Sequence, residues 1–150
     1  MRYFAYGSNM SEARFREPRR CPTARTLGKA KADGWRLVFD KQSITWNGTA
    51  ANLRPDLGDF VWGVLYYISS PAEIEGLRRG EKGYSAKDIG VASAPGEHEV
   101  ATAFVAAQGV EHSPTAAYLD CMIEGAQGHG LPLEYVTRLT SISVAQEGTR

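Results

Sequence analysis

The stretch Phe60–Ile68, "FVWGVLYYI", carries apolar side chains at nearly every position. A strand with one face in water alternates apolar and polar residues, whereas a continuous apolar run indicates a strand that is covered on both faces. We therefore expect this stretch to be the central strand of a sheet, with other elements packed on either side.

Other stretches that are rich in aromatic and β-branched residues are predicted to be strands: Arg2–Tyr6, Thr26–Ala32, Trp35–Asp40, Thr49–Leu53, Ile89–Ala94 and Glu99–Ala106. Asp33-Gly34 lies between the second and third of these, and an Asp-Gly pair is typical of a two-residue hairpin turn. Pro95-Gly96 joins the last two stretches and also predicts a turn.

Helix starts are predicted where a capping residue or a proline precedes an apolar pattern, at Ser11, Ser70-Pro71, Ser113-Pro114 and Pro132. The first of these helices should stop before Pro18, and the second should end at Gly80. Strands come first along the chain and helices mostly last. This order predicts one α+β domain over residues 1–150, with a curved and largely antiparallel sheet.

Composition limits the classes of function. The chain has 150 residues, 43% of them hydrophobic, with 17 Lys and Arg against 17 Asp and Glu. Its balanced charge and the absence of a reading motif argue against nucleic acid as a partner. No apolar run is long enough to cross a membrane, and the N-terminus lacks the pattern of a signal peptide. A local basic cluster is interpreted as a solvated face; it consists of Arg14, Arg16, Arg19 and Arg20.

The cysteines and histidines give no metal signature. Cys21 and Cys121 are the two cysteines, and neither belongs to a Cys-x-x-Cys pair. They exclude a disulfide framework, so a reducing, cytoplasmic location is the default expectation. The histidines show no ligand spacing either. The sequence therefore shows no metal-binding motif.

The first predicted strand ends abruptly at Gly7-Ser8-Asn9. Small residues at this point expose consecutive backbone N–H groups, which can hold a carboxylate or a developing oxyanion. Ser8 and Asn9 could add side-chain hydrogen bonds. An ordinary strand-to-helix turn, capped by Asn9 or Ser11, explains the same residues.

Glu81 follows the predicted end of the second helix and is flanked by Gly80 and Gly83. A carboxylate near the negative end of a helix dipole has a raised pKa, as a general base working near neutral pH requires. The alternative is an ordinary surface glutamate. Tyr118 and Tyr135, farther along the chain, are explained either by core packing or by a hydrogen bond to a substrate.

Three stretches together resemble the γ-glutamylcyclotransferase family, which includes AIG2-like and γ-glutamylamine cyclotransferase proteins. They are "YFAYGSNM" at Tyr3–Met10, "GEKGY" at Gly80–Tyr84 and "YLDCMIEGAQGHGLPLEY" at Tyr118–Tyr135, and Trp62-Gly63-Val64 fits the central strand of the family. The resemblance implies a closed or nearly closed β-barrel with a cavity at one side. It also implies cleavage of γ-glutamyl amides without hydrolysis: the substrate's α-amine attacks its own γ-carbonyl and releases 5-oxoproline, without a metal or cofactor.

The resemblance also assigns roles to residues of this chain. Glu81 matches the catalytic glutamate, which moves a proton from the attacking amine to the leaving nitrogen. Substrate-binding roles fall on Tyr3, Phe4, Ala5, Tyr6, Gly7, Ser8, Asn9 and Tyr118. Ala116 takes the place of Tyr118 if the register is shifted by two residues, and Glu75 is the upstream rival of Glu81. One departure is Arg78, where many members have an aspartate after the leucine; this puts the choice of substrate in doubt.

The leading interpretation is an enzyme acting on a small γ-glutamyl amino acid, peptide or amine. A cyclotransferase for a carrier-bound γ-glutamyl group is a second version of it. An alternative from another class is a non-catalytic module that binds γ-glutamyl metabolites. Exposed tryptophans at Trp35 or Trp46 could support a homodimer, and core packing accounts for them equally well.

Overall fold

The computed structural model describes residues 1–146. Within that range the strands are β1 (Arg2–Ala5), β2 (Arg25–Ser43), β3 (Gly48–Tyr67), β4 (Tyr84–Ala94) and β5 (Glu97–Ala106). They form a closed barrel in the order β1-β3-β2-β4-β5, and β1 closes it by pairing parallel to β5. The other strand pairs are antiparallel. The predicted α+β class and closed barrel are confirmed.

The helices described in residues 1–146 are α1 (Glu12–Phe15), α2 (Pro71–Gly80), α3 (Ala116–Gly128) and α4 (Leu133–Thr140), and a 3₁₀ turn at Ser8–Met10 precedes α1. The Ser11 and Ser70 side chains cap α1 and α2 by accepting from backbone N–H groups three residues ahead. α3 is capped by Thr115, two residues later than the predicted start at Ser113. None of these helices is long and apolar enough to cross a membrane.

The hairpin predicted at Asp33-Gly34 is wrong. β2 runs without interruption from Arg25 to Ser43, and both of its halves pair with β3. Gly34 has φ +86° and sits at a register shift between Asp33 and Trp35, so the pair forms a bulge that bends the strand. β3 is of similar length, so the predicted strands 49–53 and 60–68 belong to one strand, except for Ile68, which lies one residue beyond its end. The result is one long bent hairpin.

β3 lies between β1 and β2, as its apolar sequence predicts. Val61, Val64, Tyr66 and Ile68 are completely buried. The Tyr66 ring stacks on Phe15 of α1 with 4.3 Å between ring centroids, which fixes this short helix against the barrel. Burial of such aromatic rings supplies much of the free energy that holds α1 in place.

α3 packs directly on the 3₁₀ turn through Gly125. A Cβ at this position would lie 2.3 Å from the backbone carbon of Met10, so any larger residue would push the helix away. This close approach sets the distance between the start of α3 and the end of β1. It brings Tyr118, in the first turn of α3, over the Gly7-Ser8 backbone.

A buried polar cluster holds β3 to the end of β5. The Asn52 side chain donates to Ala106 O at 3.1 Å and accepts from Ala106 N at 2.9 Å, which continues the ladder where no strand pairing exists. Asn52 also donates to Asp40 at 2.9 Å. Asp40 in turn pairs with Arg54, whose Nη2 lies 2.9 Å from Asp40 Oδ2, and accepts from Gly109 N. Every charged group in the cluster therefore has a partner.

Candidate active site

A cavity of about 520 Å³ opens at one side of the barrel. Its walls come from the end of β1, the segment 14–21 from α1 onwards, the tip of the β2–β3 hairpin, the loop after α2, and α3. Side chains from distant parts of the sequence meet here, among them Tyr3, Asn9, Glu81, Tyr84 and Tyr118. A concave site lined by apolar rings and a few polar groups is the usual form of a small-molecule site.

Glu81 is the residue that follows α2, where its N–H donates to Leu77 O at 3.1 Å. Its side chain is half-buried in the cavity. Burial raises the pKa of the Glu81 carboxyl, and this effect outweighs the opposing influence of Arg20, of a hydrogen bond from Asn9 and of Arg14. The direction agrees with the sequence-based expectation, but the largest cause is burial.

Asn9 holds the Glu81 carboxylate in place. Its Nδ2 donates to Glu81 Oε1 at 3.1 Å and to the Tyr3 hydroxyl at 2.9 Å, and its Oδ1 accepts from Arg20. Only 5% of Asn9 is exposed, so the amide has few alternative orientations. The side chain predicted to bind substrate therefore also orients the candidate base.

The Tyr118 hydroxyl lies where the first strand ends. Its oxygen accepts from Ser8 N at 3.3 Å and from Ala51 N at 3.0 Å. Because two N–H groups point at this oxygen, its own proton is directed elsewhere and can be donated. Burial raises the pKa of Tyr118, which keeps the hydroxyl protonated. The sequence led us to expect that the Ser8 N–H binds substrate. In the structure it donates instead to the Tyr118 hydroxyl, which is itself free to donate.

Gly7 makes this arrangement possible. A Cβ at Gly7 would lie 2.5 Å from the Tyr118 hydroxyl oxygen and 3.3 Å from Ala51 Cβ. Gly7 has φ −111°, a value that other residues adopt, so the glycine is required here for space.

Most of the predicted site residues line the cavity: Tyr3, Tyr6, Gly7, Ser8, Asn9, Glu81 and Tyr118. Phe4 and Ala5 do not. Alternation along β1 points Phe4 away from Tyr3, and its ring packs where a side chain at Gly63 would otherwise be. Ala5 is 1% exposed and lies in the barrel core. The structure therefore places Phe4 and Ala5 in the core and away from the cavity wall.

The two alternatives left open by the sequence also have clear positions. Ala116 is exposed at the start of α3, and Glu75 is exposed on α2. Neither lines the cavity, whereas Tyr118 and Glu81 do. Their roles as substrate contact and base stay predictions, and geometry favours them over the alternatives.

The interpretation of the basic cluster as a solvated face is wrong for Arg14 and Arg20, which are half-buried, and correct for Arg19, which is exposed although it lines the cavity. Arg14, Arg19 and Arg20 line the cavity, while Arg16 pairs with Glu12 at 2.8 Å on the helix surface. Sequence spacing missed them because α1 folds back over the end of β1. Their position directly after the Gly7-Ser8-Asn9 stretch was the available signal.

Further cavity residues were not predicted from the sequence. Lys41 and Trp46 come from the β2–β3 hairpin, and Tyr84 begins β4. The centroid of the Trp46 ring lies 5.0 Å from that of Tyr118, which it meets edge-on, and 4.8 Å from the Arg14 guanidinium. Trp35, like Trp46, packs partly buried against the core. Core and cavity packing thus account for both tryptophans, and a homodimer stays a prediction.

Across residues 1–146, no group of three or more His, Cys, Asp and Glu side chains is arranged to hold a metal ion. The two cysteines are both free. Burial raises the pKa of the Cys21 thiol, in the cavity wall, to about 11, so this thiol stays protonated at neutral pH. The titratable group best placed for proton transfer in the cavity is Glu81.

Comparisons with known proteins show one consistent set of similarities in sequence and fold. A model of the AIG2-like family matches residues 60–139. The γ-glutamylcyclotransferases of Homo sapiens and Bos taurus are each 32% identical over 149 residues, covering 93% of this chain and 77% of each relative. A solved structure of a γ-glutamyl cyclotransferase has a TM-score of 0.91 at 27% identity, covering 100% of this chain and 92% of that chain.

Proposed function

The chain belongs to the γ-glutamylcyclotransferase family of enzymes, and from this premise we propose that it converts a γ-glutamyl amide into 5-oxoproline and a free amine or amino acid. The observation that carries the proposal is the Glu81 carboxylate, held by Asn9 at 3.1 Å inside the cavity that Tyr118 also lines. An internal acyl transfer requires a base that moves the proton and a donor that stabilises the carbonyl oxygen, and both line this cavity.

The proposed reaction forms one C–N bond and breaks another. The α-amine of the substrate, once deprotonated, attacks its own γ-carbonyl carbon and closes a five-membered ring. The bond from that carbon to the amide nitrogen then breaks. Water is not consumed, and no electrons are exchanged with an external group. Because both reacting groups belong to one bound molecule, folding the substrate in the cavity lowers much of the entropic barrier.

Glu81 is assigned the proton transfers. It takes a proton from the attacking nitrogen and delivers it to the departing nitrogen, so it ends the cycle in its starting state. Burial raises the pKa of the Glu81 carboxyl, which makes it a stronger base than an exposed glutamate. Arg20 and Arg14 oppose this shift and keep the ionised form accessible.

Tyr118 is assigned the stabilisation of the carbonyl oxygen. As the amine attacks, negative charge develops on this oxygen, and the Tyr118 O–H can donate to it. The hydroxyl oxygen already accepts from the Ser8 and Ala51 N–H groups at 3.3 and 3.0 Å. These two bonds polarise the O–H and fix its direction before the substrate arrives.

The proposal is tested by incubating the purified protein with γ-glutamylalanine and separating the products by chromatography. We expect 5-oxoproline and alanine in equal amounts. Formation of glutamate and alanine would instead identify a hydrolase. Tight calorimetric binding of 5-oxoproline without turnover of any substrate would favour a binding module. If only carrier-bound γ-glutamyl groups are turned over, the substrate is a carrier-bound γ-glutamyl group and not a small molecule.

The cellular setting of the enzyme is proposed from its sequence. With Cys21 and Cys121 both free in the structure, a reducing compartment such as the cytoplasm suits the chain. The nearly neutral net charge fits a small-molecule substrate better than a nucleic acid.

A further inference from the structure

The cavity carries many more positive charges than negative ones. Its positive side chains are Arg14, Arg19, Arg20, Lys41 and Lys82, and Glu81 is the one carboxylate among its described lining residues. Five positive charges against one negative charge are unusual in a chain with equal numbers of acidic and basic residues. A cleft lined by charges of one sign concentrates ligands of the opposite sign.

These cations have no ion-pair partner within residues 1–146, although Arg20 donates to Asn9 Oδ1 and Lys41 to Gln42 O. None of the five has a carboxylate oxygen of residues 1–146 within 4.0 Å, whereas Arg2, Arg16, Arg54 and Arg138 each form an ion pair elsewhere. The Nε atoms of Arg14 and Arg20 are buried without a hydrogen-bond acceptor. Burial and the neighbouring Arg20 lower the pKa of Arg14. The protein thus holds Arg14 and Arg20 close together, with Glu81 as the one nearby carboxylate among the described lining residues.

The positive groups stand on both sides of Glu81. Arg14 and Arg20 come from the α1 side and are close enough for their charges to lower the pKa of Glu81. Lys82 follows Glu81 directly. Lys41 reaches over from β2 to the loop after α2, where a Cβ on Gly83 would lie 2.8 Å from Lys41 Nζ. Positive charge therefore approaches Glu81 from the α1 side and from the β2 side of the cavity.

We propose that the cavity selects γ-glutamyl substrates whose leaving group is an acidic amino acid, such as glutamate or aspartate. This inference rests on the proposed cyclotransferase function and specifies its substrate class. The γ-glutamyl derivative of a neutral amino acid carries one net negative charge at neutral pH. An acidic leaving group adds a second net negative charge. Its extra carboxylate can accept a charge-assisted hydrogen bond from a lysine or arginine that lines the cavity.

The test compares two substrates of nearly equal shape, γ-glutamylglutamate and γ-glutamylglutamine, which differ in the charge of one side chain. We expect kcat/KM to be at least about tenfold higher for γ-glutamylglutamate, a typical effect of one charge-assisted hydrogen bond. The ratio should fall as salt is raised from 50 to 500 mM, because salt screens the partly exposed charges. γ-Glutamyllysine should be the poorest of the three substrates.

Arg19→Gln and Lys82→Gln, combined in one variant, remove two exposed positive charges without disturbing the buried core. We expect kcat/KM for γ-glutamylglutamate to fall about tenfold and that for γ-glutamylglutamine to change less than about threefold. Lys87→Gln is the matched control, because Lys87 is an exposed lysine on β4 outside the cavity. This control should keep the preference intact.

The outcomes separate the two proposals. Turnover of γ-glutamylglutamine that equals or exceeds turnover of γ-glutamylglutamate overturns the acidic-leaving-group inference and leaves the cyclotransferase function standing. An equal loss for both substrates in the double variant also overturns the inference. Absence of 5-oxoproline from every substrate, γ-glutamylalanine included, overturns the proposed function itself.

Discussion

The side-chain amide of Asn9 donates a hydrogen bond to Glu81 Oε1 at 3.1 Å, across 72 positions of sequence. This contact joins the end of the first strand to the end of α2. It links the two sequence motifs that carry the proposed chemistry, because Asn9 belongs to the first and Glu81 to the second.

Replacing Asn9 with alanine should lower kcat about 10–100-fold and leave KM within about threefold, because the base is displaced while the cavity persists. The Asn9 hydrogen bond lowers the pKa of Glu81, so its loss raises that pKa. The acidic limb of the kcat–pH profile should therefore move to higher pH. Gln127→Ala, an exposed amide on α3, is the control. If the acidic limb of the kcat–pH profile does not move, Asn9 does not influence the pKa of Glu81.

Gly7→Ala should lower kcat/KM about 10–100-fold, since the new Cβ would lie 2.5 Å from the Tyr118 hydroxyl oxygen and must displace it. Steady-state kinetics measure the effect. Gly90→Ala on β4 is the matched control, because a Cβ there meets nothing within 4 Å. Full activity of the Gly7 variant would show that the position of Tyr118 has no bearing on turnover.

Asp40→Ala should reduce the free energy of unfolding by about 3–5 kcal/mol, because it leaves the Arg54 guanidinium without its buried carboxylate. The Arg54 side chain is 16% exposed and the Asp40 side chain 0%. Urea denaturation measures the change. The comparison is Glu99→Gln, which breaks the exposed 3.0 Å pair with Arg2 and should cost at most about 1 kcal/mol. Similar losses in both variants would contradict the importance of the buried pair.

Glu81→Gln should make the protein more stable at pH 8 than the wild type. Burial raises the pKa of Glu81 above the 4.5 of a free carboxyl, so the folded state binds this proton more tightly than the unfolded state. Wild-type stability consequently falls as pH rises through the interval between those two pKa values, and a glutamine escapes that loss. The difference in Tm should be present at pH 8 and largely absent at pH 4.

Glu75→Gln provides the control for this stability measurement, since Glu75 is exposed on the same helix. Its Tm should follow that of the wild type at both pH values. A Glu81 variant less stable than the wild type at pH 8 would show that the ionised carboxylate stabilises the fold, contrary to the effect expected from its burial.

The sequence predicted those elements whose signals are local. The Ser11 and Ser70 caps lie beside the helices they start, and the apolar run at Phe60–Ile68 is mostly buried as expected, with Phe60 and Tyr67 as its exposed members. Asp33-Gly34 misled because a bulge and a hairpin turn both require a residue with positive φ, and only the partner strand distinguishes them. That partner, β3, is supplied by the rest of the fold.

The site was predictable where a motif carried it and unpredictable where it depends on distant contacts. Glu81 and Tyr118 line the cavity as the resemblance implied. The contact of Tyr118 with Ser8 spans 110 positions, and its contact with Ala51 spans 67, so no local pattern indicates them. Arg14 and Arg20 were missed for a different reason, because their charge run was interpreted as a solvated face although Arg20 contacts Asn9 only 11 positions away.

The most direct test of the central claim is the kcat of Glu81→Gln on γ-glutamylalanine, measured as release of 5-oxoproline by protein whose fold is verified by circular dichroism. Glutamine keeps the shape and can still accept from Asn9, but it cannot take a proton. We predict a fall in kcat of about 10²–10⁴-fold with KM nearly unchanged. A kcat equal to that of the wild type would contradict the assignment of Glu81 as the base.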